Sequence, residues 1–270
     1  MTFKRIRNIL GKEWEVLAGD TGTVLLVTLI PLLIVGQGMA YIWAAAHFGG
    51  EAMLSNSVLQ AAVSKAQDAI PALIGLLAGD QLQVVLLSQF NFYLLLIPTV
   101  IAINFATFSI VDEKLSGSLE PLLATPVRTW ELLLGKVLAG VIPALIITWI
   151  CAGIFLALVA GLGWGHLLGL VLSPSYFMVL FLLTPAISVL SFLLGVVGSS
   201  RAKDAKSAQN FSVVIILPVL ALIGIQVSGL VWFTGLLTLG LALALALLDL
   251  IAARLAVPLF QRESIVVRWR

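Results

Sequence analysis

The recurrence of long apolar runs restricts this chain more than any other feature. Six stretches, 23–46, 90–111, 137–160, 176–197, 211–231 and 236–257, each come near the roughly 20 residues that carry an α-helix across a hydrocarbon core. A backbone in lipid must satisfy its own hydrogen bonds, so runs of this length fold as helices. Composition agrees: 61% of the residues are hydrophobic and 10% charged, against about 45–50% and about 25% in a soluble domain. The fold class is therefore an all-α integral membrane protein, one domain over residues 1–270 with six transmembrane helices. Between the last two runs the turn falls anywhere from Ser228 to Gly235. A merged helix would be about twice the needed length, so a hairpin is expected, with Trp232 and Phe233 in the interfacial aromatic belt.

Ahead of the first run, Phe3, Ile6, Leu10, Trp14 and Leu17 recur at spacings of three and four among Lys4, Arg5, Arg7, Lys12 and Glu15. That pattern predicts an amphipathic interfacial helix over residues 1–20. Glu13, Glu15 and Asp20 argue against a signal peptide, as does an apolar run longer than the usual h-region of about 7–15 residues. Lys and Arg gather in cytoplasmic loops. With the N-terminus inside, fourteen of the 15 basic residues fall on the cytoplasmic side and only Lys65 outside, so both termini are expected to be cytoplasmic.

The segment 47–88 is the sizeable external region. Val58, Leu59, Ala62, Val63, Ala66 and Ile70 predict one short helix, and the apolar residues from Leu73 to Leu86 a second after Pro71. Pro31, Pro98, Pro143, Pro185 and Pro218 place one helix-kinking residue in each of the first five runs. Polar groups inside the runs are few. Asp249 is the one carboxylate well within a run, with Arg254 a turn or so beyond, suited to structural pairing or snorkelling. Gln37, Asn91, Asn104 and Gln226 add neutral polarity of the kind that joins helices. Gln37 and Asn104 are the candidates for facing a translocation path.

Motifs for catalysis are missing from the sequence. Gly11-Lys12 and Gly135-Lys136 lack the glycine-rich turn and following hydroxyl of a phosphate-binding loop. His47 and His166 are the only histidines, and no metal-binding pair or nucleophile elbow accompanies them. Cys151 stands alone within an apolar run, as a small buried hydrophobe does. A net charge of +2 gives no reason to expect nucleic acid. No catalytic residue, no metal and no cofactor bound by this chain is expected.

One hydrophilic stretch breaks the pattern. Residues 112–136, DEKLSGSLEPLLATPVRTWELLLGK, form a charged island between the second and third runs. It resembles the cytoplasmic segment between the second and third spans of ABC type-2 exporter permeases, where an E-K-x-x-G-x-L-E run precedes P-L-L-A-T-P and E-L-L-L-G-K. KEWEVLAGD, SSRAKDAKSAQN and FQRES resemble that family's N-terminal helix, fourth loop and ending. The resemblance implies a permease subunit of an ATP-driven exporter in the prokaryotic inner membrane. It also implies a second permease, identical or homologous, and two separate ATPase subunits that hold ATP and Mg. The island, over residues 112–130, would then be a coupling helix docked on the ATPase. Glu113, Lys114 and Gly117 belong to that signature, with Glu120, Arg128 and Glu131 placed for charge-assisted contacts and Leu119, Leu122 and Leu123 for an apolar anchor. The competing reading, an ion-coupled secondary transporter, calls for several midplane ionisable groups and an internal repeat, and only Asp249 answers to that description.

Overall fold

The computed structural model describes residues 2–49, 53, 55–115, 128–201 and 205–260, and every regular element among them is helical. Helix α1 (Thr2–Gly19) leads into α2 (Thr21–Phe48) across Asp20. The Asp20 carboxylate caps α2 by accepting from the Thr23 N–H at 2.8 Å, which satisfies one of the free donors at a helix start. The Thr23 hydroxyl and N–H together hold that carboxyl below its usual range.

Helix α3 (Ser57–Ala69) starts at an Asn56 cap. Helices α4 (Ala78–Tyr93) and α5 (Leu96–Leu115) follow, then α6 (Thr129–Val159). A π-helical turn at Ala160–Trp164 and two short turns carry α6 on to Val171. Helix α7 (Pro174–Met178) passes through a second π turn, Val179–Leu183, into α8 (Thr184–Arg201). The chain ends in α9 (Ala205–Val227) and α10 (Gly235–Ala256). The second π turn has a local cause. Pro185 has no N–H to donate, while the N–H and hydroxyl of Thr184 both turn to the Val179 carbonyl, the hydroxyl at 3.0 Å. The helix therefore widens by one residue just before the proline.

Among the described residues, five helical segments are long and apolar enough to cross a membrane: Thr21–Phe48, Ala78–Ile110, Thr129–Val171, Pro174–Ser200 and Gly235–Ala256. Val214–Val227 is a shorter apolar helix. Ala78–Ile110 is the central one, with 83% of its most apolar window buried. Helix α8 packs along α5, and α6, α9 and α10 close around the pair. The α2 and α10 helices keep apolar flanks outward, including Leu33, Leu243 and Leu247, as surface that meets lipid or another chain does.

Several boundaries differ from the sequence reading, for physical reasons. The second apolar helix begins at Ala78 rather than 90, so the helix expected after Pro71 is the leading part of that segment. Polar residues at its start lower its hydropathy, but they are satisfied within the fold: Gln81 donates to the Leu76 carbonyl and accepts from Gln67, both at 3.0 Å. The third helix begins at Thr129 rather than 137, so Lys136, read as the end of a loop, lies two turns inside it. The hairpin turn after α9 spans 228–234, within the expected interval.

Candidate functional site

The charged island leaves the bundle from the end of α5 and returns at the start of α6. Residues 116–127 lie outside the described residues, and with them Gly117, Leu119, Glu120, Leu122 and Leu123. Glu113 and Lys114 sit on the last turn of α5. Arg128 is the exposed N-cap residue of α6 and Glu131 lies three residues on. The two ends of the island are thus the ends of two neighbouring helices.

Those two helices are joined at this end by α1. The Lys136 ammonium on α6 contacts the Glu13 carboxylate on α1 at 2.8 Å, and donates to the Ser109 hydroxyl on α5 at 2.6 Å. Ser109 donates in turn to the other Glu13 oxygen at 2.8 Å. The triangle is closed, one corner on each helix. Lys136 is 1% exposed and Glu13 9%, so the charges attract each other with little water between them. At 2.8 Å and an effective dielectric of about 20, the Coulomb attraction is about 6 kcal/mol. Most of that offsets the desolvation of two ions, so its effect is chiefly on where α1 sits.

Three further contacts seat α1 on α6. The Trp14 indole N–H donates to the Ala139 carbonyl at 3.0 Å. Gly135 lets Ile9 close in, because a Cβ at residue 135 would fall 2.8 Å from the Ile9 Cγ2. Glu131, 2% exposed, accepts from the Arg128 N–H at 3.1 Å and meets the Arg5 guanidinium at 3.4 Å. Glu131 thus caps α6 and faces α1. The Arg5 pair is half-open to solvent, so its worth is within about 0–1 kcal/mol.

Of these residues, Glu13, Ser109 and Lys136 were not singled out from the sequence as site residues. One signal was present: Glu13 stands seven residues after Ile6 and four before Leu17, on the apolar stripe of α1. An acidic residue on that stripe calls for a buried basic partner.

The two candidates for a translocation path lie elsewhere. Gln37 is exposed on α2 and lines a cavity of about 300 Å³ with Tyr41, Leu86, Gln89, Phe90 and Tyr93. Asn104 does not line that cavity, and donates to the Val100 carbonyl of its own helix at 2.7 Å. Asp249, on α10, keeps a shielded Oδ1 that no described residue pairs. Among the described residues no group of three or more His, Cys, Asp or Glu comes together as a metal site.

No curated protein and no solved structure matches the chain. The family model described as ABC-2 family transporter protein matches residues 7–256, a span that includes α1 from Arg7 onward, the island and all five membrane-length helices. The chain therefore belongs to the ABC-2 transporter family, as the multi-pass membrane permease of an ABC transporter.

Proposed function

We propose that this permease is the path-forming subunit of an ATP-driven exporter, and that residues 112–130 are the handle by which separate ATPase subunits move it. In this reading Val214–Val227 completes a sixth span, the end of the bundle carrying α1 is cytoplasmic, and both termini lie on that side. The assembly is two permeases, identical or homologous, with two ATPases that bind ATP and Mg. Glu113, Lys114, Glu120 and Arg128 supply the charged contacts to the ATPase, and Leu119, Leu122 and Leu123 its apolar anchor.

The observation that supports this reading is the buried triangle of Glu13, Ser109 and Lys136. A loop that only filled the gap between two spans would need no such brace. Here the helices on both sides of the island are tied to each other and to α1. A push on the island therefore moves α5, α6 and α1 as one body. Pro143 in α6 interrupts the backbone hydrogen bonding beyond the brace, and Pro98 stands in the first turn of α5 beside the break at 94–95, where the helices bend most easily. Closing of the ATPase dimer on ATP would tilt the braced base, and the bend at the prolines would open the path at the far end. Gln37 and Asn104 are the candidate polar positions along that path.

The test is co-expression with the ATPase and replacement of Glu113 and Glu120 by Lys. The expected result is loss of the complex and of substrate-stimulated ATP hydrolysis, with the permease still folded in the membrane. A complex and coupled hydrolysis equal to wild type would refute the assignment.

A further inference from the structure

At the end of the bundle opposite α1, a cavity of about 340 Å³ opens between α4, the 173–176 turn, the end of α9 and the 232–235 turn. Among the described residues its wall contains no Asp, Glu, Lys, Arg or His. Three of its side chains are almost wholly buried yet keep an unused polar atom. Asn91 is 3% exposed, Tyr176 3% and Gln226 2%. Among the described residues nothing pairs with the Asn91 Oδ1, the Gln226 Oε1 or the Tyr176 hydroxyl. Burying such groups without a partner is costly, and three around one cavity point to a ligand.

The chemistry of that ligand follows from which atoms are unused. The Asn91 amide N–H donates to the Tyr176 carbonyl at 3.2 Å. That bond fixes the orientation of the amide, since the flipped form would set two oxygens against each other. The Gln89 amide donates to the Gln226 carbonyl at 3.4 Å, which holds the end of α9 in place. Ser175 and Thr238 use their protons on the Phe233 and Thr234 carbonyls at 2.8 and 2.9 Å. The wall therefore presents two amide oxygens, the Tyr176 phenol and the hydroxyls of Ser88, Ser173 and Thr234, so the ligand must both donate and accept hydrogen bonds. An anion would face two amide oxygens, and a cation would find no carboxylate. Trp232 and Phe233 add aromatic wall, on which the C–H face of a saturated ring can lie.

We propose that this cavity binds an uncharged, hydroxyl-bearing ring, the chemistry of a single saccharide unit. Its hydroxyls donate to the Asn91 Oδ1 and Gln226 Oε1, and one exchanges a hydrogen bond with the Tyr176 hydroxyl. The volume lies near the lower end of the range for small-molecule sites, about 300–1,000 Å³, which suits one ring. A free sugar and the headgroup of a glycolipid present the same chemistry at this end of the bundle. The site belongs to this chain alone, so its test needs no ATPase and stands apart from the coupling mechanism.

The experiment is saturation-transfer NMR on the full chain in phosphatidylcholine nanodiscs, with methyl β-D-glucopyranoside as the free probe. In a second arm, glucosyl diacylglycerol is doped into the nanodiscs. Saturable binding of the free probe, of the lipid headgroup, or of both is expected, and identifies the source. Tyr176→Phe and Gln226→Leu should each weaken it about tenfold, as loss of one buried hydrogen bond does. D-glucuronate should bind at least about tenfold more weakly than the neutral sugar. Tyr176→Phe keeps the ring in place, so it decides the matter even if Gln226→Leu fails to fold. No saturable binding in either arm, binding by Tyr176→Phe equal to wild type, or glucuronate binding as tight as the neutral sugar would overturn the proposal.

Discussion

Removing the Glu13 carboxylate should unseat α1 in a way that removing both charges does not. Lys136 is 1% exposed and its ammonium lies 2.8 Å from Glu13, so Glu13→Gln withdraws an opposing charge from an ion that water does not reach. Breaking a buried pair from one side costs about 3–5 kcal/mol. Ser109 still accepts from Lys136 at 2.6 Å and Glu13 is slightly open to solvent, so the lower end, about 3 kcal/mol, is expected. For a chain of this size that is a fall in melting temperature of roughly 6–12 °C. Replacing both residues, Glu13→Gln with Lys136→Met, removes both members of this pair and should recover at least half of the loss. The assay is thermal unfolding of the four proteins in one detergent, read as a double-mutant cycle. Hydrogen exchange of α1 should rise in the single variants and fall back in the double. A double variant as unstable as the sum of the two singles would refute the coupling between these charges.

Other predictions follow from single contacts. Trp14→Phe removes the indole donor to the Ala139 carbonyl and should cost about 1 kcal/mol, with exchange rising first at α1. Gly38→Ala would put a Cβ 2.0 Å from the Phe90 Cε2, on a buried ring stacked on Phe155 with centroids 4.2 Å apart. It should destabilise by about 1–3 kcal/mol, and Phe90→Leu in the same chain should relieve part of that loss. The Asp20 carboxyl lies below its usual range because Thr23 donates to its charged form. Its cap on α2 is therefore fully present above the ordinary carboxylate pKa near 4. The cap is lost only as pH falls through the lowered value, and exchange at Thr23 across an acid titration checks it.

The fold was legible in the sequence where one rule acts alone. Apolar run length placed the five helices that are long and apolar enough to cross a membrane, and the break between Val227 and Gly235 appeared because a single helix there would be too long for a bilayer. Helix starts were less legible, because polar residues at Asp80, Gln81 and Gln83 mask a helix whose partners lie on α3 and the turn before it. The α1 stripe was read for its apolar members, and Glu13 only as an argument against a signal peptide. Its burial depends on Lys136 and Ser109, more than 90 residues away, and no local pattern carries that. The saccharide-sized cavity was hidden for the same reason: Asn91 and Gln226 read as helix-joining amides, and only the packing shows that each keeps one oxygen unused.

The most direct test of the coupling role is site-specific cross-linking from the island itself. In a Cys151→Ala background, Glu120→Cys is carried on the permease and joined to nearby lysines with a short bifunctional reagent, in membranes that also contain the ATPase. The account predicts a permease–ATPase adduct whose yield changes when ATP is added, and no adduct from Gly75→Cys at the opposite end of the bundle. An adduct from Gly75→Cys with none from Glu120→Cys would contradict it.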